Sequence, residues 1–352
     1  LLLQQLLAGL DLLRLFNELL LASGGDAEEA MEWLRQLQRQ GYLDDQLDLD
    51  AFFASLEANR ILQRAGDGSL TLSAQGERQI RRSAFDEIFS SLRSGAPGYH
   101  PVRATGEGVE ALPETRRYRF GDEIHRIDSM RSFHNALKRT VGELELTEAD
   151  LEVFETEHLT ACATIMAIDI SHSMILYGED RITPAKKVAL ALTELITTRY
   201  PKDHLEVVLF GDRAERVVLS DLPYIEAGPF HTNTREALQL SRTLLQRHKQ
   251  PNKQIFLITD GKPSAITEGG QVYKNPFGLD MKIVNRTLEE VDSCRRQKIV
   301  ITTFMLATDP QLTDFVDKLT KVNRGRAYFA SPYDLGEFIL ADYIRNRRRR
   351  LH

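Results

Sequence analysis

The spacing of apolar residues changes character along this chain. Up to about residue 95 they recur at helical intervals, as in LLLQQLLAGLDLLRLFNELLLA and DAEEAMEWLRQLQRQ, with Gly24-Gly25 breaking the first segment and Asp26 positioned to cap the second. From Ala163 onward, short apolar runs alternate with amphipathic stretches. Ala163 to Ile168, Leu205 to Phe210, Ala214 to Leu219, Gln254 to Thr259, Ile299 to Leu306 and Arg326 to Phe329 read as strands. Asn233 to His248, a segment starting near Ile283, Gln311 to Thr320 and Asp334 to Arg345 read as helices. That alternation predicts an α/β domain built on a doubly wound, mostly parallel sheet, preceded by a smaller, mainly helical domain.

The expected boundaries are 1–95 for the helical domain, 96–158 for a linker and packing segment, 159–345 for the α/β domain and 346–352 for a basic tail. Within the first, LEANRILQRAGDGSLTLSAQGERQI has the rhythm of a winged helix: helix, two-stranded wing around Gly66-Asp67-Gly68, return helix. Between about Ser94 and Thr115 periodicity is lost, so an irregular linker is expected. Arg119 to Glu123 then read as a turn and IHRIDSMRSFHNALKRT as a helix, while LEVFETEHL reads as an added edge strand or an acidic docking surface. GKPSAITEGGQVYKNPFGLDM reads as a long irregular loop, in which Tyr273 and Phe277 either anchor a partner or cover the loop's own core.

Composition narrows the class. The 352 residues are 42% hydrophobic, enough for a sizeable core in two or three domains. A net charge of −6 gives no overall attraction to nucleic acid or membranes, and direct nucleic-acid binding through the winged-helix-like region is the minor reading. Gln4, Gln5, Asp11, Arg14, Asn17 and Glu18 interrupt the apolar start, which therefore reads as an amphipathic helix rather than a membrane span. Cys162 and Cys294 form neither a redox nor a metal-spaced pair, and two buried thiols point to a cytoplasmic location. The terminal RNRRRRLH reads as a solvated tail or a docking element for an acidic partner.

The candidate chemistry lies at strand ends. Asp169, Ser171 and Ser173 follow the first apolar strand, Thr232 precedes a helix, and Asp260 closes a second strand in QIFLITDGK. Carboxylate and hydroxyl oxygens are hard ligands, suited to Mg²⁺, with Mn²⁺ or Ca²⁺ as alternatives. In an open parallel sheet the carboxyl ends of the strands form the binding edge, so three loops can converge on one ion. Each residue alone has an ordinary use: Ser171 or Ser173 as a helix cap, Asp260-Gly261 as a turn, Asn233 with Glu236 as a capping box.

This DxSxS pattern, with the Thr of TNT and the Asp of TDG, resembles the metal-ion-dependent adhesion site of von Willebrand factor A domains, over roughly Leu159 to Arg345. The resemblance implies a Rossmann-like fold in which Asp169, Ser171, Ser173, Thr232 and Asp260 hold the ion. It also implies a coordination position left open for a partner's carboxylate. The combination with a helical amino-terminal region resembles bacterial von Willebrand A proteins that work with AAA+ ATPases of the MoxR and magnesium-chelatase type. The implied role is a non-enzymatic adaptor in metal or cofactor insertion or protein remodelling, with the ATPase or its client as partner. A secreted adhesin and a nucleic-acid-associated regulator are the alternatives. No GxxxxGK[ST], GxSxG or HExxH occurs, and the nine histidines are scattered rather than spaced as ligands.

Overall fold

In the computed structural model, residues 12–66, 68–94, 110–118, 127–139, 146–157, 161–178, 180–275, 277, 279–307, 309–331 and 334–347 are described. Most of the expected linker, the turn over 119–123 and residues 348–352 of the basic tail lie outside them. The chain divides into two compact units, one of residues 1–96 with 162–341 and one of 97–161 with 342–352.

The first unit opens with α1 (Leu12–Ala22), α2 (Ala27–Arg39) and α3 (Leu49–Ala58). Gly24 and Gly25, at φ 66° and 86°, make the left-handed turn between the first two helices, a conformation only glycine adopts freely. The Asp26 carboxylate then caps α2 by accepting from the Glu28 and Glu29 amides, both at 2.9 Å. A two-stranded hairpin, β1 (Leu62–Arg64) with β2 (Leu70–Leu72), follows α3 and leads into α4 (Ala74–Ser94), the helix, wing, helix order read from the sequence.

In the second unit β3 (Glu110–Arg117) pairs antiparallel with β4 (Glu152–Glu157), and α5 (Ser129–Arg139) lies between them in the chain. Two expectations are corrected here. Part of the supposed irregular linker is strand β3, hidden in the sequence because Pro113 falls where the register shifts between Ala111 and Thr115. LEVFETEHL supplies β4, which pairs with β3 rather than extending the sheet that carries Asp169.

That sheet has six strands. β5 (Cys162–Asp169), β6 (His204–Phe210), β7 (Ala214–Val217), β8 (Asn252–Thr259), β11 (Ile299–Met305) and β12 (Arg326–Phe329) stand in the order β12-β11-β8-β5-β6-β7. All neighbours are parallel except β6 and β7. β5 is buried along its whole length, which is why it reads as a continuous apolar run rather than an alternating one. On one face Ile165, Val208, Phe210, Ile255 and Ile301 form a core with α7 (Thr234–Gln246), α8 (Met281–Arg296) and α9 (Pro310–Asn323).

The other face carries α6 (Ile182–Arg199), which α4 covers in turn. Sandwiched this way, α6 buries Ala185, Val188, Ala189, Leu190, Leu192 and Leu195 and shows no single apolar stripe. Lys186 is buried with them and donates to the carbonyls of Leu21 at 2.8 Å and Pro223 at 3.1 Å, tying α6 to the end of α1. Burial pushes its ammonium down to about 8. Across the same face Phe256 meets Phe304 edge to face, Phe304 stacks on Tyr328, and Tyr328 packs on Phe338 of α10 (Leu335–Arg347).

The expected irregular loop after Asp260 is also corrected: it folds into a hairpin, β9 (Ala265–Glu268) with β10 (Gln271–Lys274). Gly269 and Gly270, at φ 57° and 82°, form its two-residue turn. The Gly-Gly pair in TEGGQV is the sequence signal for that hairpin.

Candidate metal centre

The strand order reverses direction at β5, whose chain-next parallel partner β6 lies on one side and β8 on the other. This is the topological switch point of a doubly wound sheet, where the loops leaving adjacent strands part and open a crevice. Asp169 is the last residue of β5 and Asp260 follows the last residue of β8, so the two carboxylates flank that crevice.

All five residues singled out from the sequence meet there. Asp169 Oδ1 accepts from the Ser171 amide at 2.9 Å, which folds the loop back on the strand end. Its Oδ2 accepts from the Thr259 hydroxyl at 2.6 Å, across the neighbouring strand. Thr232 Oγ1 donates to Ser171 Oγ at 3.0 Å, Ser171 Oγ lies 3.2 Å from Ser173 Oγ, and Ser173 Oγ donates to Asp260 Oδ1 at 2.6 Å. Four side chains from three loops thus form one continuous run of oxygen atoms.

Thr232 owes its position to the segments around it. Its amide donates to Ser264 Oγ at 3.0 Å, and its carbonyl accepts from the amides of Ser264 and Ala265 at 3.0 and 3.2 Å. Next to it, Asn233 caps α7 by accepting from the Glu236 amide at 3.1 Å, so helix capping and presentation of the Thr232 hydroxyl are separate tasks of adjacent residues.

Three further participants escaped the sequence reading. Thr259 orients Asp169 as described. A Cβ on Gly261 would stand 3.1 Å from both Ser173 Oγ and Thr232 Oγ1, so this glycine keeps side-chain bulk out of the oxygen cluster. Both residues flank Asp260 in ITDGK, a cue available from the sequence. Arg181 donates from Nη1 to Asp260 Oδ2 at 2.5 Å across 79 residues of chain, a pairing that no local spacing announces.

Electrostatically the two carboxylates differ. Asp169 is 0% exposed, and burial pushes its carboxyl up to about 7. Hydrogen bonds from Ser171 and Thr259 oppose that shift, and the nearby Asp260 charge adds to it. Asp260 has the Arg181 guanidinium as a direct counter-charge. At the rim, His172 is exposed and His231 is half-buried, with Nδ1 3.2 Å from Asp212 Oδ1. Neither belongs to the oxygen run. Tyr273 donates to Asp280 Oδ2 at 3.0 Å and lies under Lys282 Nζ, whereas Phe277 is 88% exposed and covers no core.

No helix among the described residues is long and apolar enough to cross a membrane. Compared with known proteins, the chain matches the family model described as Rv0959-like protein, vWA domain, over residues 162–344, and the model of the same family's third domain over 110–156. It is 30% identical over 358 residues to the Mycobacterium tuberculosis protein named Uncharacterized protein Rv0959, covering 94% of this chain and 52% of that one. The chain therefore spans about half the length of the curated relatives it matches. Among solved structures, the vWF domain of the type V pili tip protein Mfa5 from Porphyromonas gingivalis aligns at 13% identity and TM-score 0.41, covering 55% of this chain and 98% of that one. The PilB minor pilin from Streptococcus sanguinis aligns at 14% identity and TM-score 0.43, covering 59% and 66%. With its six-stranded sheet domain matched end to end by the family model, the chain belongs to the Rv0959-like von Willebrand factor A family.

Proposed function

We propose that this chain is a non-enzymatic adaptor that grips another protein through a divalent cation, Mg²⁺ in the first instance, held by Asp169, Ser171, Ser173, Thr232 and Asp260. The observation that carries the reading is the unbroken run from Thr232 through Ser171 and Ser173 to Asp260 at the switch point. Hydroxyls and carboxylates from three loops are a hard-oxygen donor set, and the donors chosen for Mg²⁺, Mn²⁺ or Ca²⁺ are of this kind. The space preserved by Gly261 against two of the hydroxyls fits the same group.

In this reading Asp169 and Asp260 bring the negative charge and the three hydroxyls complete a neutral arc. Such an ion supplies a Lewis-acidic centre that draws in an acidic side chain of the partner. Thr259 and the Ser171 amide hold the Asp169 carboxylate in orientation, and Arg181 fixes that of Asp260. Phe277 offers an exposed apolar anchor on the loop that follows Asp260 and its hairpin.

The partner class we favour is an AAA+ ATPase of the MoxR or chelatase type, or its client. This choice is supported by the resemblance of the whole architecture and not by the geometry of the oxygen cluster. A cytoplasmic setting agrees with Cys162 and Cys294 being buried thiols. The test is affinity capture with the full chain in Mg²⁺ and in chelator, read by mass spectrometry. An ATPase or ATPase client captured only in Mg²⁺, and lost with Ser171→Ala or Asp260→Ala, is the expected result. Capture of the same proteins in chelator would overturn the ion-bridged contact.

A further inference from the structure

We propose that His204, Glu206 and His248 form a second metal site, of a different chemical class, that binds Zn²⁺. The three residues lie at the amino end of β6, the end of the sheet opposite Asp169. Six residues of strand separate His204 from Phe210, which pairs with Asp169, so the two centres are roughly 20 Å apart at ~3.3 Å per residue.

The fold brings the ligands together by two rules. His204 and Glu206 are two apart on a strand and so project to the same face, the face on which Val208 and Phe210 meet α7. His248 follows two residues after the end of α7 and is delivered onto that face by the packing of Leu244 and Leu245. The donor atoms of all three lie within 4.8 Å of one another.

The local geometry is that of ligands converging on one point. His204 Nε2 and His248 Nε2 lie 3.1 and 2.6 Å from the same oxygen, Glu206 Oε1, and the two rings stand with centroids 4.0 Å apart. The other oxygen, Glu206 Oε2, lies 2.5 Å from Arg216 Nε as an ion pair without hydrogen-bond alignment, while Oε1 faces the imidazoles. On β7, Arg216 pairs with Val208 of β6, diagonal to Glu206 on the same face.

Zinc bonds to imidazole nitrogen and carboxylate oxygen of ~2.0–2.1 Å make the edge of a tetrahedron roughly 3.3 Å. The two separations, 3.1 and 2.6 Å, are shorter than that edge by about 0.2 and 0.7 Å. A modest opening of the side chains therefore admits the ion. Two imidazoles and one carboxylate are a borderline set that selects zinc-like metals, in contrast to the oxygen-only cluster at the other end of the sheet. Ligation through Nε2 requires each ring proton that faces Glu206 to move to Nδ1, or to leave to solvent where the ring starts as imidazolium, so that both histidines bind as neutral imidazoles. Three protein ligands leave a fourth position for water.

The proposal is tested by titrating Zn²⁺ alone into the full chain in excess Mg²⁺, by calorimetry, with Co²⁺ absorption as an independent readout. One saturable site is expected, weakened about tenfold or more by Glu206→Gln and by His248→Asn and unchanged by His134→Asn on the exposed surface of α5. His204→Asn, at a side chain 41% exposed, gives the same test where a more buried substitution disturbs folding. A visible Co²⁺ band that disappears in these variants supports the site. Absence of saturable binding, binding that survives all three substitutions, or Zn²⁺ displaced by Mg²⁺ would each overturn it.

Discussion

Asp169 and Glu206 are both buried carboxylates on adjacent parallel strands, yet the protein treats them in opposite ways. Asp169 receives hydrogen bonds from a hydroxyl and an amide, and burial wins, pushing its carboxyl up to about 7. For Glu206 burial acts in the same direction, but bonds from His248 and His204 and the charge of Arg216 outweigh it and hold the carboxyl below the usual range. Neutral donors therefore compensate the buried charge of Asp169 only in part, whereas at Glu206 a set of partners that includes the Arg216 guanidinium reverses the balance. The Asp169 end of the sheet is consequently the one with most to gain from an added cation, and the Glu206 end is already internally neutralised.

The sharpest way to break this comparison is to remove the uncompensated carboxylate. Asp169→Ala should cost Mg²⁺ affinity about 2–5 kcal/mol, some tens to thousands-fold, while leaving the fold intact. Calorimetric titration beside a circular-dichroism spectrum checks both halves, and unchanged affinity in a folded variant refutes the ligand assignment.

A smaller effect, in chelator, compares the two carboxylates directly. Asp169→Asn should leave stability equal or raised, because the amide keeps the Ser171 bond and Thr259 Oγ1 can turn its hydrogen to the Gly261 carbonyl, 3.1 Å away. Glu206→Gln should lower stability by only ~1 kcal/mol, since Arg216 and His204 are 58% and 41% exposed and solvent takes up much of the loss. Urea denaturation of both variants would decide, and a larger loss for Asp169→Asn would reverse the argument.

A third effect, read as a pH dependence, extends the rule to a buried cation. Lys186 has carbonyl partners, and its folded value of about 8 lies below the ordinary 10.5. Between those values the unfolded chain holds more protons than the folded one, so stability contributed at this position rises with pH across that window. Below about 8 the desolvation penalty is complete. Denaturation midpoints of wild type and Lys186→Met should therefore diverge in the wild type's favour from pH 8 upward, and parallel curves would show that Lys186 remains charged.

Much of the α/β unit is legible without coordinates. Apolar runs such as Ala163 to Ile168 and Gln254 to Thr259 have the length of strands buried on both faces, and their alternation with helices makes a doubly wound sheet the consistent solution. Most of the oxygen cluster is legible for the same reason: Asp169, Ser171, Ser173 and Asp260 sit at or just past the ends of those strands, while Thr232 is located by the helix start that follows it. Capping by Asp26 and Asn233 is local chemistry and reads directly. Strand β3 does not, because charged residues and Pro113 mask its period.

What the chain alone determined is therefore whatever depends on near neighbours or on strand ends: the helical and strand periods, the caps, and the order in which Asp169, Ser171, Ser173, Thr232 and Asp260 reach one edge. Tertiary structure decided what depends on distant residues finding each other. Arg181 meets Asp260 across 79 positions, and His248 meets Glu206 across 42. The histidines look scattered along the chain because their common address is the end of a helix and the start of a strand, and only the packing of α7 on β6 makes those two places one.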